Sequence, residues 1–272
     1  EYALLDGEKP EVAKAIFEQY MPRFAGDILP EQEIGRALSL ADKLDNLAAT
    51  FLRGLIPTGS QDPFALRSQT IGAVNILTDG KIHWDIRRGI EAALALLPGD
   101  EETKKTVLSQ IEDFFCQRIK AIMLDEGIAY DIIDAVLAGP VDDIYALFLK
   151  ARSMAESQLK DEAELRQAVT RLANITKGKT GGKVDPSLFA EDVEKKLQDA
   201  FEAVSAKALP LFASYEYGKA LPALKELTAP INDYLDNVMV MVDDEAVKNN
   251  RISQLLATLA LFNTWGDFSK LV

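Results

Sequence analysis

Residues 57–67 read PTGSQDPFALR, and this stretch decides how the chain is built. On both sides, apolar residues recur at helical spacing, so here a pattern stops for one turn and restarts. Pro57 cannot continue a helix, and Gly59 reaches backbone angles closed to other residues. Asp62 directly before Pro63 reads as an N-cap followed by proline at the first helical position. The spacing predicts a helix from Pro63 to about Leu77 and a tightly capped corner in front of it.

Upstream, Ile34, Leu38, Ala41, Leu44, Ala48, Phe51, Leu52 and Leu55 form one long helical stripe. Val12, Ile16 and Tyr20 mark a shorter helix closed by Pro22. Downstream, helical spacing returns from about Trp84 to Leu97. The run PGDEE at 98–102 then combines turn residues with acidic charge, and reads as the domain boundary. Beyond it, amphipathic helices follow over 107–123, 132–137, 144–154, 161–176 and from about Pro186. Helical register continues from Leu224 through Leu235 to Val242, so Met239 and Met241 read as core beside their valines. The last helix carries Val247 to Phe262. No strand-like alternation persists, and the fold class is all-α.

Composition bounds the function. With 272 residues, 48% apolar and 27% charged, the chain is ordinary globular material with room for one large domain or two. No apolar run approaches the ~20 residues of a membrane span. A single cysteine, Cys116, excludes an internal disulfide and fits a reducing, cytoplasmic setting. Its neighbours Phe114, Phe115 and Ile119 predict a packed thiol rather than a nucleophile. The net charge of −13 disfavours a polyanionic partner, because nucleic-acid affinity rests on Lys and Arg neutralising phosphates. Screening confines that repulsion to about 8–10 Å, so a segregated basic patch can still bind.

Residues 41–45, ADKLD, lead into PTGSQDPFALR, and together they resemble the HD-like domain of the β subunit of bacterial tetrameric glycyl-tRNA synthetase, where "LADKLD" precedes "PTGSKDPFALRR". Gln61 stands where that family has lysine, and Ser68 where it has a second arginine. Residues 20–27, YMPRFAGD, are similar to the family's "HYLPRFAGDELP". Residues 231–251, INDYLDNVMVMVDDEAVKNNR, resemble its C-terminal signature "PxDxFFDxVMVMxxDxxxxxNR", with Tyr234 and Leu235 in place of two phenylalanines. The resemblance covers nearly the whole chain. It implies an HD-like helical domain over 1–97, an anticodon-binding helical bundle over 98–272, and a start at Glu1 inside a longer subunit. It further implies glycine tRNA as ligand, and assembly of two such chains with two α subunits. ATP and magnesium would be used by the α subunit, with no cofactor held by this fragment.

The candidate tRNA contacts concentrate after position 170. Residues 171–175, RLANI, resemble the "RVxNIL" of anticodon-binding domains, and Arg171 and Asn174 lie about one helical turn apart. They lead into KGKTGGK at 177–183, the most basic and glycine-rich stretch, with no apolar anchor. Its Lys177, Lys179 and Lys183 would attract phosphates, while Arg171 and Asn174 would reach unstacked bases. Asn250 and Arg251 form a second candidate pair, and Arg67 a third position.

Catalysis finds little support. The LAD context of Asp42 resembles that of the last metal-binding aspartate in nucleotide-cleaving HD phosphohydrolases, but that chemistry needs several imidazole and carboxylate ligands converging on one ion. The chain has one histidine, His83, which reads as a helix-start residue. GKTGGK lacks the first glycine and the preceding strand of a phosphate-binding loop. No metal site and no catalytic residue are expected here. The competing readings are an acidic helical interaction scaffold without RNA binding, and a fragment of a metal-dependent phosphohydrolase.

Overall fold

The stripe beginning at Ile34 becomes the central helix of the first of two units. The computed structural model describes every residue except Ala25 and Ser60, so those positions of the YMPRFAGD and PTGSQDPFALR motifs lie outside the described residues. The protein is all-α; among the described residues, extended pairing is confined to isolated bridges between Thr58 and Gln61 and between Asp85 and Asp143. Unit one comprises residues 1–126 with 140–148, and unit two residues 127–139 with 149–272.

Unit one holds α1 (Tyr2–Leu5), α2 (Pro10–Glu18), α3 (Glu33–Leu52), α4 (Leu66–Asp79), α5 (Ile86–Ala95) and α6 (Glu101–Asp125). Helices α2, α4, α5 and α6 all pack on α3. Leu44, Leu47, Ala48 and Phe51 are the buried face of α3, and Phe51 meets Phe114 of α6 edge-on at 5.2 Å. Truncating such an aromatic costs about 3–5 kcal/mol. The stripe ends before Leu55, because Gly54 leaves the helix at positive φ.

Two expectations change here. The break at 98–102 is a turn inside unit one: Asp100 accepts from the Thr103 amide at 2.8 Å and caps α6, which packs back on α3, α4 and α5. An acidic run after Pro-Gly marks a helix start as well as a linker, and here the contacts place the division beyond Glu126 rather than at 97. The helix after the corner begins at Leu66, not Pro63. Ala65 precedes it in the left-handed region at φ 53°, and the Asp62 carboxylate reaches forward to the amides of Leu66 (2.8 Å) and Arg67 (2.9 Å). Asp62 thus satisfies two orphan donors without being the residue next to the helix.

The separated motifs of unit one meet in space. Lys43, buried, donates to the Met21 carbonyl at 2.9 Å and to Ser39 Oγ at 2.8 Å. Burial pulls its pKa below the usual lysine value, partly offset by Asp42. Buried Glu18 accepts from the amides of Glu31 (3.1 Å) and Gln32 (3.4 Å) at the start of α3. Gly35 is required beneath it, since a Cβ there would fall 1.8 Å from Glu18 Oε2. His83 lies just before α5, with Nδ1 2.8 Å from Asp143 Oδ2.

The chain continues through α7 (Tyr130–Val136), α8 (Ile144–Glu156), α9 (Ala163–Thr176), α10 (Asp192–Ala213), α11 (Leu221–Lys225), α12 (Thr228–Asn237) and α13 (Glu245–Asn263). In unit two, α9 packs on α12 and α13, and α10 on α12 and α13. Leu172, Leu197, Ile231, Leu255 and Phe262 fill the centre, and buried Trp265 donates to Ser153 Oγ at 3.0 Å.

The helical register expected through Val242 ends at Asn237. Residue 238 is extended (φ −105°, ψ 122°), and side chains then alternate. Val238 and Val240 are 6% and 7% exposed, whereas Met239 and Met241 are 71% and 56% exposed. The two methionines are therefore surface residues, not core, because the period has changed from helical to two.

Candidate nucleic-acid interface

The predicted contact residues divide sharply once their surroundings are seen. Asn174, Lys177 and Lys183 are exposed, and Lys179 is half-buried. Helix α9 delivers them: Gly178 follows its end at φ 70°, the left-handed geometry that closes a helix.

The loop after α9 is anchored, contrary to the flexible reading of its glycines. The Gly182 amide donates to Ser253 Oγ on α13 at 2.8 Å. Gly181 sits so close to α13 that an added Cβ would come 2.9 Å from Leu256 Cδ1. Asn250 holds the end of the same segment through both of its amide atoms, accepting from the Asp185 amide at 2.7 Å and donating to the Asp185 carbonyl at 3.0 Å. The lysines thus project from a fixed backbone.

Asn250 and Arg251 are each only 4% exposed, which removes them as surface contacts. Arg251 forms a buried pair with Glu194: Nε lies 3.0 Å from Oε1 and Nη2 3.2 Å from Oε2. Its Nη1 donates to the Met239 carbonyl at 2.8 Å. Glu194 in turn accepts from the amides of Ala190 and Glu191, both at 2.8 Å, closing a capping box at the start of α10. The bond to Glu194 raises the Arg251 pKa further, while burial opposes it. One guanidinium therefore ties α13, α10 and the segment after α12 together, holding it at the Met239 carbonyl. Nearby Tyr234 is buried, and burial together with Glu194 pushes its phenol well up.

Arg171 is half-exposed and already engaged. Nη1 donates to Asn232 Oδ1 at 2.9 Å and Nη2 to Asp236 Oδ1 at 2.5 Å, joining α9 to α12. Arg67 belongs to unit one, where Nη2 donates to the Gly59 carbonyl at 2.7 Å.

Asp42 has amide partners: Gln19 Nε2 at 3.1 Å and Asn46 Nδ2 at 3.3 Å, and Asn46 continues to Gln69 of α4. Among the described residues, no three His, Cys, Asp or Glu side chains are grouped to hold an ion. Burial, followed by the charges of Asp113 and Glu112, pushes the Cys116 thiol up, away from nucleophilic use. Among the described residues, no helix is long and apolar enough to cross a membrane.

Comparison with known proteins decides the lineage. Residues 1–138 match the family model for the glycyl-tRNA synthetase beta subunit. The chain belongs to that family. Residues 165–266, all within unit two, match the DALR anticodon binding domain. Among similar proteins, the glycine–tRNA ligase beta subunit of Clostridioides difficile (strain 630) is 42% identical over the whole chain. Those of Desulforamulus reducens and Shouchella clausii are 40% and 39% identical, also over the whole chain. In each case the matched part is 40% of the relative's length, so the chain spans about two fifths of these relatives. Within the glycyl-tRNA synthetase beta subunit family, then, the NR signature at 250–251 is read as internal scaffolding and the lysine loop as surface.

Proposed function

We propose that this chain is the tRNA-recognition portion of a glycine–tRNA ligase beta subunit, with unit two meeting the anticodon region of glycine tRNA. The observation that carries the reading is the match of 165–266 to an anticodon binding domain, within which the anchored loop exposes Lys177 and Lys183, with Lys179 half-buried between them. With the backbone at Gly182 and Asp185 held by Ser253 and Asn250, little main-chain freedom is lost when the loop binds, which favours affinity. Asn174 supplies an amide that can pair with an exposed base edge.

Attachment of glycine would occur in a partner α subunit, which would use ATP and magnesium, within a cytoplasmic assembly of two α and two β chains. This fragment supplies recognition and no reacting group. The apolar side chains on the surface of unit one's first segment, Phe17, Tyr20 and Phe24, fit a contact with protein in that assembly. Binding of glycine tRNA by filter retention, across a salt series and against a tRNA of different anticodon, tests the proposal. Preference for the glycine anticodon supports it; equal, salt-insensitive retention of both would refute it.

A further inference from the structure

The corner of unit one and the middle of α6 together form a pocket that the anticodon-domain reading does not use. It measures about 370 Å³ and is lined by Phe51, Pro57, Gly59, Arg67, Phe114 and Arg118, with Gln110 and Asp113 also on its wall. Arg118 stacks on Phe114, its guanidinium carbon 3.8 Å from the ring centroid. Its Nη1 is used by the Phe114 carbonyl (3.2 Å) and Gln117 Oε1 (2.9 Å), which fix the plane of the fork. Arg67 is fixed through Nη2 on the Gly59 carbonyl.

Two cations therefore face one cavity, each immobilised by neutral oxygens. Among the described residues, neither guanidinium forms an ion pair with a carboxylate. Asp113 is exposed, and Asp62 is committed to the Leu66 and Arg67 amides. Burial and then the charge of Arg67 depress the Arg118 pKa, with Asp62 opposing. In a chain of net charge −13, carboxylates are plentiful, yet neither guanidinium is held by one; their partners are neutral oxygens and a ring face, which leaves the positive charge open to an anionic ligand. Such a pair suits a phosphate, whose oxygens match the guanidinium fork. The cavity is larger than a phosphate alone, and its apolar wall of Phe51 and Pro57 suits an attached sugar.

We propose that the Arg67–Arg118 pocket binds a phosphate of an RNA backbone, giving unit one its own contact with nucleic acid. The identity of that RNA as tRNA rests on the functional reading above; the pocket's chemistry does not.

The test uses the 272-residue chain, with arginine side-chain Nε–H resonances assigned through R67Q and R118Q. A ten-nucleotide single-stranded RNA should shift both resonances, and inorganic phosphate should shift them only at far higher concentration. No shift with the oligonucleotide overturns the proposal. Shifts by inorganic phosphate at concentrations as low as those of the oligonucleotide also overturn it, leaving a small-anion pocket. In parallel, R118Q should reduce the slope of log affinity for tRNA against log salt by about 0.7–0.9, the value of one lost phosphate contact. An unchanged slope in folded R118Q overturns the tRNA contact even if wild-type binding is intact. If the wild-type chain binds no tRNA, the functional reading fails, and the oligonucleotide titration still decides the pocket.

Discussion

Arg251 and Glu194, 57 positions apart in the chain, form a two-contact ion pair at 3.0 and 3.2 Å, with both side chains almost wholly buried. Removing one partner of such a pair strands the other charge in a dry interior, at about 3–5 kcal/mol. Arg251→Leu should therefore lower stability by that amount in urea melts, whereas Arg251→Leu with Glu194→Gln, which removes the stranded charge but keeps an acceptor for the Ala190 and Glu191 amides, should be less damaging than the single change. A single change costing under about 1 kcal/mol would mean that water reaches the pair.

Asp62 accepts two amides at the start of α4, so Asp62→Ala should cost about 0.5–2 kcal/mol. Asp62→Asn keeps one acceptor oxygen and should recover part of the loss. If neither change moves the denaturation midpoint, the corner is held by something other than this carboxylate.

Lys43 gives a pH signature. Its folded pKa is depressed by burial below the unfolded value of about 10.5. Below both values each state carries the proton, and the penalty for burying the charge is constant. Between them the unfolded state binds more protons, so stability rises with pH until the unfolded value is passed. The stability of the wild type relative to Lys43→Met should accordingly rise as alkaline pH climbs from the depressed folded value toward the unfolded one of about 10.5, and level off above it. A difference that stays flat or falls over this range would show that the ammonium is not desolvated.

Arg171 is poised between two roles. Its exposed pair with Asp236 adds no more than about 1 kcal/mol, so Arg171→Ala and Asp236→Ala should melt within that margin of wild type. If Arg171 also reaches RNA, Arg171→Ala should reduce discrimination between anticodons, while Asp236→Ala, which frees the guanidinium, should not. Equal RNA effects from both variants would assign Arg171 to helix packing alone.

Much of the helix content was legible from periodicity: α6 and the last helix run where spacing put them, and α3 follows its stripe as far as Leu52, with Leu44, Ala48 and Phe51 buried but Ile34, Leu38 and Ala41 exposed. The domain division was not, since the acidic turn at 98–102 carries the same residues whether it caps a helix or ends a domain. Met239 and Met241 were misread because V-M-V-M is compatible with helix and extended chain alike, and the arginine that fixes the extended form lies ten residues on. Arg251 and Asn250 looked like surface polar residues; burial of a charge becomes readable only once its partner, Glu194, is known to be adjacent. Arg118 gave one local signal, an arginine four residues after Phe114 on a helix, which places it over the ring.

A net-acidic chain that binds tRNA must do so through locally concentrated positive charge. Affinity for glycine tRNA across a salt series, for wild type and for the variant with Lys177, Lys179 and Lys183 all changed to glutamate, tests it most directly. Wild type should lose affinity steeply with salt, and the variant should bind more weakly with a flatter slope at unchanged helix content. Equal affinity and equal slope for the two proteins would contradict the account.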